Sequence, residues 1–203
     1  MNGHSGRELL KRAQEKKLDP ALVSTAALAL ARSADSRLRN EAAQILPLPV
    51  ALGADDFPSL QELAQQKGDP SKGPQLYEKA TCATCHQIDG KGIAFGPDLS
   101  EIGNKLSRVG LFEAILYPNA AISHGFHGVN LTRKDGSQVL GYVTGETDHE
   151  IALRIPGGGN QSIPRNEIEA QSELEQSLMP PGLGAVIGAE GLVDLVSWLE
   201  TLK

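Results

Sequence analysis

Cys82, Cys85 and His86 stand in the run Cys82-Ala83-Thr84-Cys85-His86, the part of this sequence best equipped for chemistry. Two thiols at i and i+3 can meet the two vinyl groups along one edge of a haem. The adjacent imidazole is then carried under the ring, where it can ligate iron. That order and spacing predict one covalently attached haem c, with its iron held by His86. A zinc site would need a second pair of Cys or His ligands. His124 and His127 offer two imidazoles, but the chain has only two cysteines. A thioredoxin-like pair expects a strand before the motif and a helix after it. Here a helix is predicted before it and a glycine-rich loop after it. Cysteines this close together also exclude a disulfide framework.

Composition narrows the remaining classes. At 203 residues the chain is long enough for one large domain or two small ones, each with a core. Its net charge is −6 and no basic stripe is present, so nucleic acid gains no electrostatic attraction here. No stretch approaches the roughly 18 apolar residues of a membrane span. Ala21 to Ala31 has the look of a short signal-peptide core, but Glu8, Glu15 and Asp19 lie where a basic leader segment belongs. Leu22, Ala26 and Ala29, then Leu38, Ala42, Ile45 and Leu46, recur at helical spacing. Two amphipathic helices are therefore expected, the first opened by Asp19-Pro20 and broken over Ser33 to Ser36, the second stopped by Pro47 and Pro49.

Two domains follow from this pattern: a helix pair and linker over residues 1–66, which resembles the terminal repeat of a HEAT-like solenoid, and a second unit over residues 67–203. The linker contains a short helical piece, QELAQQ. Asp69-Pro70-Ser71 can cap a helix from Lys72 to about Thr81, immediately before the cysteines. Residues 87–99 are glycine-rich and read as loop. Leu111 to Leu116 is a short helix ended by Pro118. From Phe126 to Gln171 the period changes to two, with turns at Lys134-Asp135-Gly136 and Gly157-Gly158-Gly159. Four or five short strands are expected there, as a small sheet or barrel inserted at about 126–171. Glu190 to Lys203 is a final helix with Leu192, Leu195, Val196 and Leu199 on one face.

With Cys82-Ala83-Thr84-Cys85-His86 followed by Gly96-Pro97-Asp98-Leu99, residues 68–203 resemble the class I cytochromes c. The resemblance implies a mainly α fold, a helical haem domain with a small β module inserted. It also implies that the Pro97 carbonyl accepts the second N–H of His86 and so orients the ring. The family places its axial methionine in a loop before the last helix, where Ser177-Leu178-Met179-Pro180-Pro181-Gly182 stands in this sequence. The resemblance thus implies Met179 as sixth ligand, with His124 as runner-up. His/Met ligation suits an electron carrier, not an enzyme. The alternative is a haem enzyme or a gas or redox sensor with an open or labile distal site. The inserted strands either cover the haem edge or are structural padding, and padding is the default expectation. His127 and His149 read as surface residues.

A narrower resemblance rests on Gly96 to Leu99, on Glu113-Ala114-Ile115-Leu116-Tyr117-Pro118-Asn119-Ala120-Ala121-Ile122, and on Ser177 to Leu183. These stretches are similar to the haem-binding domain at the C-terminal end of large planctomycete and verrucomicrobial proteins. Such proteins often join HEAT-like helices and a dehydrogenase-like propeller to this cytochrome. The resemblance implies that the chain is a fragment of an exported, periplasmic or otherwise extracytoplasmic protein. Its partners would be a fused dehydrogenase domain or separate redox proteins.

Overall fold

The computed structural model describes residues 3–19, 22–31, 33, 35–46, 57–120 and 122–203. Three helices come first: α1 (Gly3–Gln14), α2 (Val23–Ala31) and α3 (Ser36–Ile45). Asp35 caps α3 by accepting N–H bonds from Arg37 and Leu38 at 3.0 and 3.3 Å. Leu10, Ala26, Ala27, Leu30, Leu38, Ala42 and Leu46 form a separate small core. The expected pair is therefore preceded by a third helix, whose short apolar face of Leu9, Leu10 and Ala13 packs into this core. Leu22 lies outside the stripe it was assigned to and is exposed. Pro20, Ala21, Pro47, Pro49 and the linker residues up to 56 lie outside the described residues, as does Ala121.

The main core is built on α4 (Leu60–Gln65), α5 (Gly73–Lys79), α7 (Arg108–Leu116) and α8 (Leu183–Leu199), with α6 (Ile102–Lys105) at its edge. Ser59 and Glu62 close a capping box on α4, whose Leu60 and Leu63 are buried in this core. Asp69 caps a 3-10 turn, Pro70–Lys72, that leads into α5. α8 starts earlier than expected and is interrupted at Gly188 (φ 73°, ψ 173°). Beyond the break Leu192, Leu195, Val196 and Leu199 are buried as their spacing required, each worth roughly 1.5–3 kcal/mol.

Polar contacts tie these helices together. Buried Asp194 accepts the Asp69 N–H at 2.7 Å and pairs with Lys72 at 3.2 Å. Arg108 donates to the carbonyls of Ala64 (3.1 Å) and Gln66 (2.8 Å), to Ser197 Oγ (3.2 Å) and to Glu200 Oε2. One guanidinium thereby joins the end of α4, the start of α7 and the end of α8.

A short ribbon, β1 (Gln87–Ile88) and β2 (Lys91–Gly92), follows the cysteine motif. The later strands are β3 (Gly128–Arg133), β4 (Gln138–Glu146), β5 (Glu150–Arg154), β6 (Asn160–Pro164) and β7 (Ile168–Glu173). They form one antiparallel sheet in the order β6-β5-β4-β3-β7. It is an open sheet, since β6 and β7 lie at its two edges. Val129, Leu131, Ile151, Leu153 and Ile163 make its own buried cluster.

The mainly α expectation is overturned by this sheet. A five-stranded sheet with a core of its own is an architectural layer, not a minor insertion in a helical fold, and the chain combines both classes. Most of β7 is exposed and lacks apolar alternation, so of the four or five expected strands it is the one the sequence pattern did not locate. No helix among the described residues is long and apolar enough to cross a membrane.

Candidate functional site

α5 ends at Lys79, and Thr81 turns the chain through a left-handed conformation (φ 59°) into a 3-10 turn over Cys82–Thr84. The Cys82 carbonyl accepts the N–H groups of Cys85 (3.1 Å) and His86 (2.9 Å). The Ala83 carbonyl accepts from Ile93 at 2.9 Å, and that of Cys85 from Phe95 (3.1 Å) and Gly96 (2.6 Å). The His86 carbonyl accepts the Tyr77 hydroxyl at 3.0 Å. The backbone of the motif is thus held from both sides by fixed donors. Gly92 is required beside it: φ is 100°, and a Cβ there would lie 2.3 Å from the His86 carbonyl oxygen.

The His86 ring is oriented by a second contact. Nδ1 lies 2.7 Å from the Pro97 carbonyl, an acceptor only, so Nδ1–H is the donor and Nε2 carries the free lone pair. Burial lowers the His86 pKa, opposed by the Pro97 bond, which favours the neutral imidazole a metal requires. Burial also pushes the Cys82 thiol up to about 11. Cys82 packs against the main helical core, whereas Cys85 lines a cleft.

Cys85, His86, Pro97, Tyr142 and Met179 all line that one cleft, with Leu99, Ile115 and Leu178 among its apolar walls. Met179 is held in its loop by two bonds. Its N–H donates to Ser177 Oγ at 3.1 Å, and the Ser177 N–H donates to Asn119 Oδ1 at 2.8 Å. The segment after α7 therefore anchors the methionine loop. His124 is exposed and does not line the cleft, and His127 and His149 are exposed as well. Among the described residues no three His, Cys, Asp or Glu side chains converge as a metal cluster, so the zinc alternative has no ligand set there.

Three aromatic residues complete the cleft, and the sequence pattern did not single them out. Phe95 stacks on Tyr142 at 4.8 Å between centroids, and Phe126 meets Tyr142 edge-on at 5.2 Å. Burial pushes the Tyr142 phenol up to about 12. The signal available was scarcity: the chain has only four Phe and three Tyr. Because Tyr142 lies in β4, the inserted sheet contributes to the wall of the cleft.

The cleft presents the Cys85 thiol, with Cys82 in the same turn packed against the helical core, a neutral imidazole with Nε2 free and a thioether, set among apolar walls. It fits haem c, the group a CxxCH motif attaches. Residues 70–152 match the family model for cytochrome c. The chain contains a cytochrome c domain. Cytochrome c domains hold haem c covalently and transfer electrons, so haem binding with electron transfer is the function this domain supports. The matched region spans the cysteine motif, Pro97, α7 and the first strands, and it ends before Met179. Comparison with curated proteins returns no significant match.

Proposed function

We propose that this cytochrome c domain carries one haem c on Cys82 and Cys85, with His86 and Met179 as axial ligands, and acts as a one-electron relay, not an enzyme. The observation that carries this reading is the meeting of His86 and Met179 in one apolar cleft, although they are far apart in the chain. Bound haem c supplies a reversible one-electron couple at its iron. The chain's own part is binding and orientation. The Pro97 carbonyl fixes the His86 tautomer and raises the basicity of Nε2. Asn119 and Ser177 restrain the loop that presents the Met179 thioether. A thioether ligand raises the reduction potential relative to two imidazoles, which suits a carrier.

The wider setting belongs to the same proposal. The domain accepts electrons from a dehydrogenase-like domain of a larger exported protein and passes them to a redox partner outside the cytoplasm. The N-terminal helices are a HEAT-like lead-in to it. What supports this is the resemblance of three stretches to that family, two of which meet in the Asn119–Ser177 hydrogen bond.

The test is an absorption spectrum of the purified protein, oxidised and then reduced, with carbon monoxide added last. Haem that resists acid extraction and a ferrous form indifferent to carbon monoxide are expected. Prompt carbon monoxide binding would instead favour a haem enzyme or gas sensor with an open distal position. Extractable haem would remove the covalent reading.

A further inference from the structure

Gly128 and Tyr142 lie directly opposite each other across β3 and β4. Residues so paired project to the same face of a sheet, and here each member touches a different loop of the cleft. On one side Tyr142 stacks on Phe95, whose N–H donates to the Cys85 carbonyl beside His86. On the other side Gly128 is packed against the methionine loop. A Cβ on Gly128 would lie 2.9 Å from Leu174 Cδ1 and 3.0 Å from Leu178 Cγ, and Leu178 precedes Met179. The Leu174 N–H also donates to the Gly128 carbonyl at 2.8 Å.

The sheet makes one more contact with the His86 side. At the β5–β6 turn a Cβ on Gly158 would lie 2.8 Å from Ile93 Cγ2, and the Ile93 N–H is bonded to the Ala83 carbonyl within the motif. The pair therefore sits in a sheet braced by its own core and abutting both loops. Interiors of this kind transmit displacement instead of absorbing it.

We infer that the Gly128–Tyr142 pair is a strut that sets the separation of the His86 loop from the Met179 loop, and so keeps the thioether on the iron. This rests on the axial assignment proposed above. Gly128 is a positioning residue that acts by leaving room for Leu174 and Leu178, whereas Tyr142 lines the cleft itself and also braces Phe95. The inserted sheet is thereby part of the ligand-holding apparatus.

Gly128→Val tests the strut, because valine suits a strand yet occupies the space held by Leu178. The readout is carbon monoxide affinity of the ferrous protein, measured with the haem covalently attached. Overpacking at this contact is expected to raise that affinity by about tenfold or more over wild type. Tyr142→Leu probes the other end without adding bulk, and the same rise is expected. Wild-type affinity in Gly128→Val and Tyr142→Leu would overturn the strut alone. Ready carbon monoxide binding by the wild-type protein would overturn the Met179 assignment and the strut with it.

Discussion

Gly73 of α5 and Trp198 of α8 touch so closely that a Cβ on Gly73 would lie 2.0 Å from the Trp198 Cβ. The two helices cross at this point, and one turn later Tyr77 meets the Trp198 indole edge-on at 5.5 Å. The crossing bears on the haem site, since Tyr77 also holds the His86 carbonyl. Gly73→Ala must separate two backbones, because the obstructing atom cannot rotate away. A loss of about 3 kcal/mol is expected in denaturant unfolding of the haem-loaded protein. A variant as stable as wild type would show that the helices do not need this approach.

Gly96 stands in the same relation to the His86 ring. A Cβ there would lie 2.9 Å from Cε1 and 3.1 Å from Nδ1 of His86. Gly96→Ala should tilt the imidazole and weaken its bond to the Pro97 carbonyl, which costs about 1 kcal/mol of stability. With that bond weakened His86 would be a poorer donor to the iron it is proposed to bind, and the oxidised state would lose more than the reduced. A rise in reduction potential is expected in a potentiometric titration. An unchanged potential would mean that the Pro97 contact does not tune the site.

Three Asp-x-Ser turns predict how the protein responds to acid. Asp69, Asp98 and Asp135 each accept from the hydroxyl and the N–H of the serine two residues on. The hydroxyl bond is the largest cause holding each carboxyl below 3.8, followed by the backbone N–H. A carboxyl lowered on folding stabilises the fold above its unfolded value, and that contribution fades as the pH falls through the lowered folded value. The loss therefore lies at and below pH 3.8, leaving neutral pH untouched. Ser71→Ala with Ser137→Ala should move the acid-unfolding midpoint upward. Carboxyl titrations of Asp69 and Asp135 by NMR should show both groups returning toward 3.8. Titrations identical to wild type would show that the serines do not bear on these groups.

Features governed by neighbours in the chain were legible in the sequence. The Cys82–His86 spacing predicted a haem site because thioether attachment and iron ligation need those atoms within one turn. The cap at Asp69 and the stripe Leu192, Leu195, Val196 and Leu199 were visible for the same local reason. α1 was missed because its apolar stripe is only Leu9, Leu10 and Ala13, and β7 was not located within the four or five expected strands because it lacks apolar alternation, so its placement comes from its pairing with β3.

What the tertiary structure decided is which distant side chains share the cleft. The Pro97 carbonyl reaches His86 only because the chain folds back through Ile93, Phe95 and Gly96 onto the motif's carbonyls. Tyr142 faces Phe95 only because β4 pairs with β3 in the register that sets it opposite Gly128. A slip of one residue would turn the phenol to the other face of the sheet. Composition and periodicity place a residue on a strand but do not choose the partner strand's register. That choice is made by the buried side chains of the sheet and by its turns, acting over the whole length of the insertion.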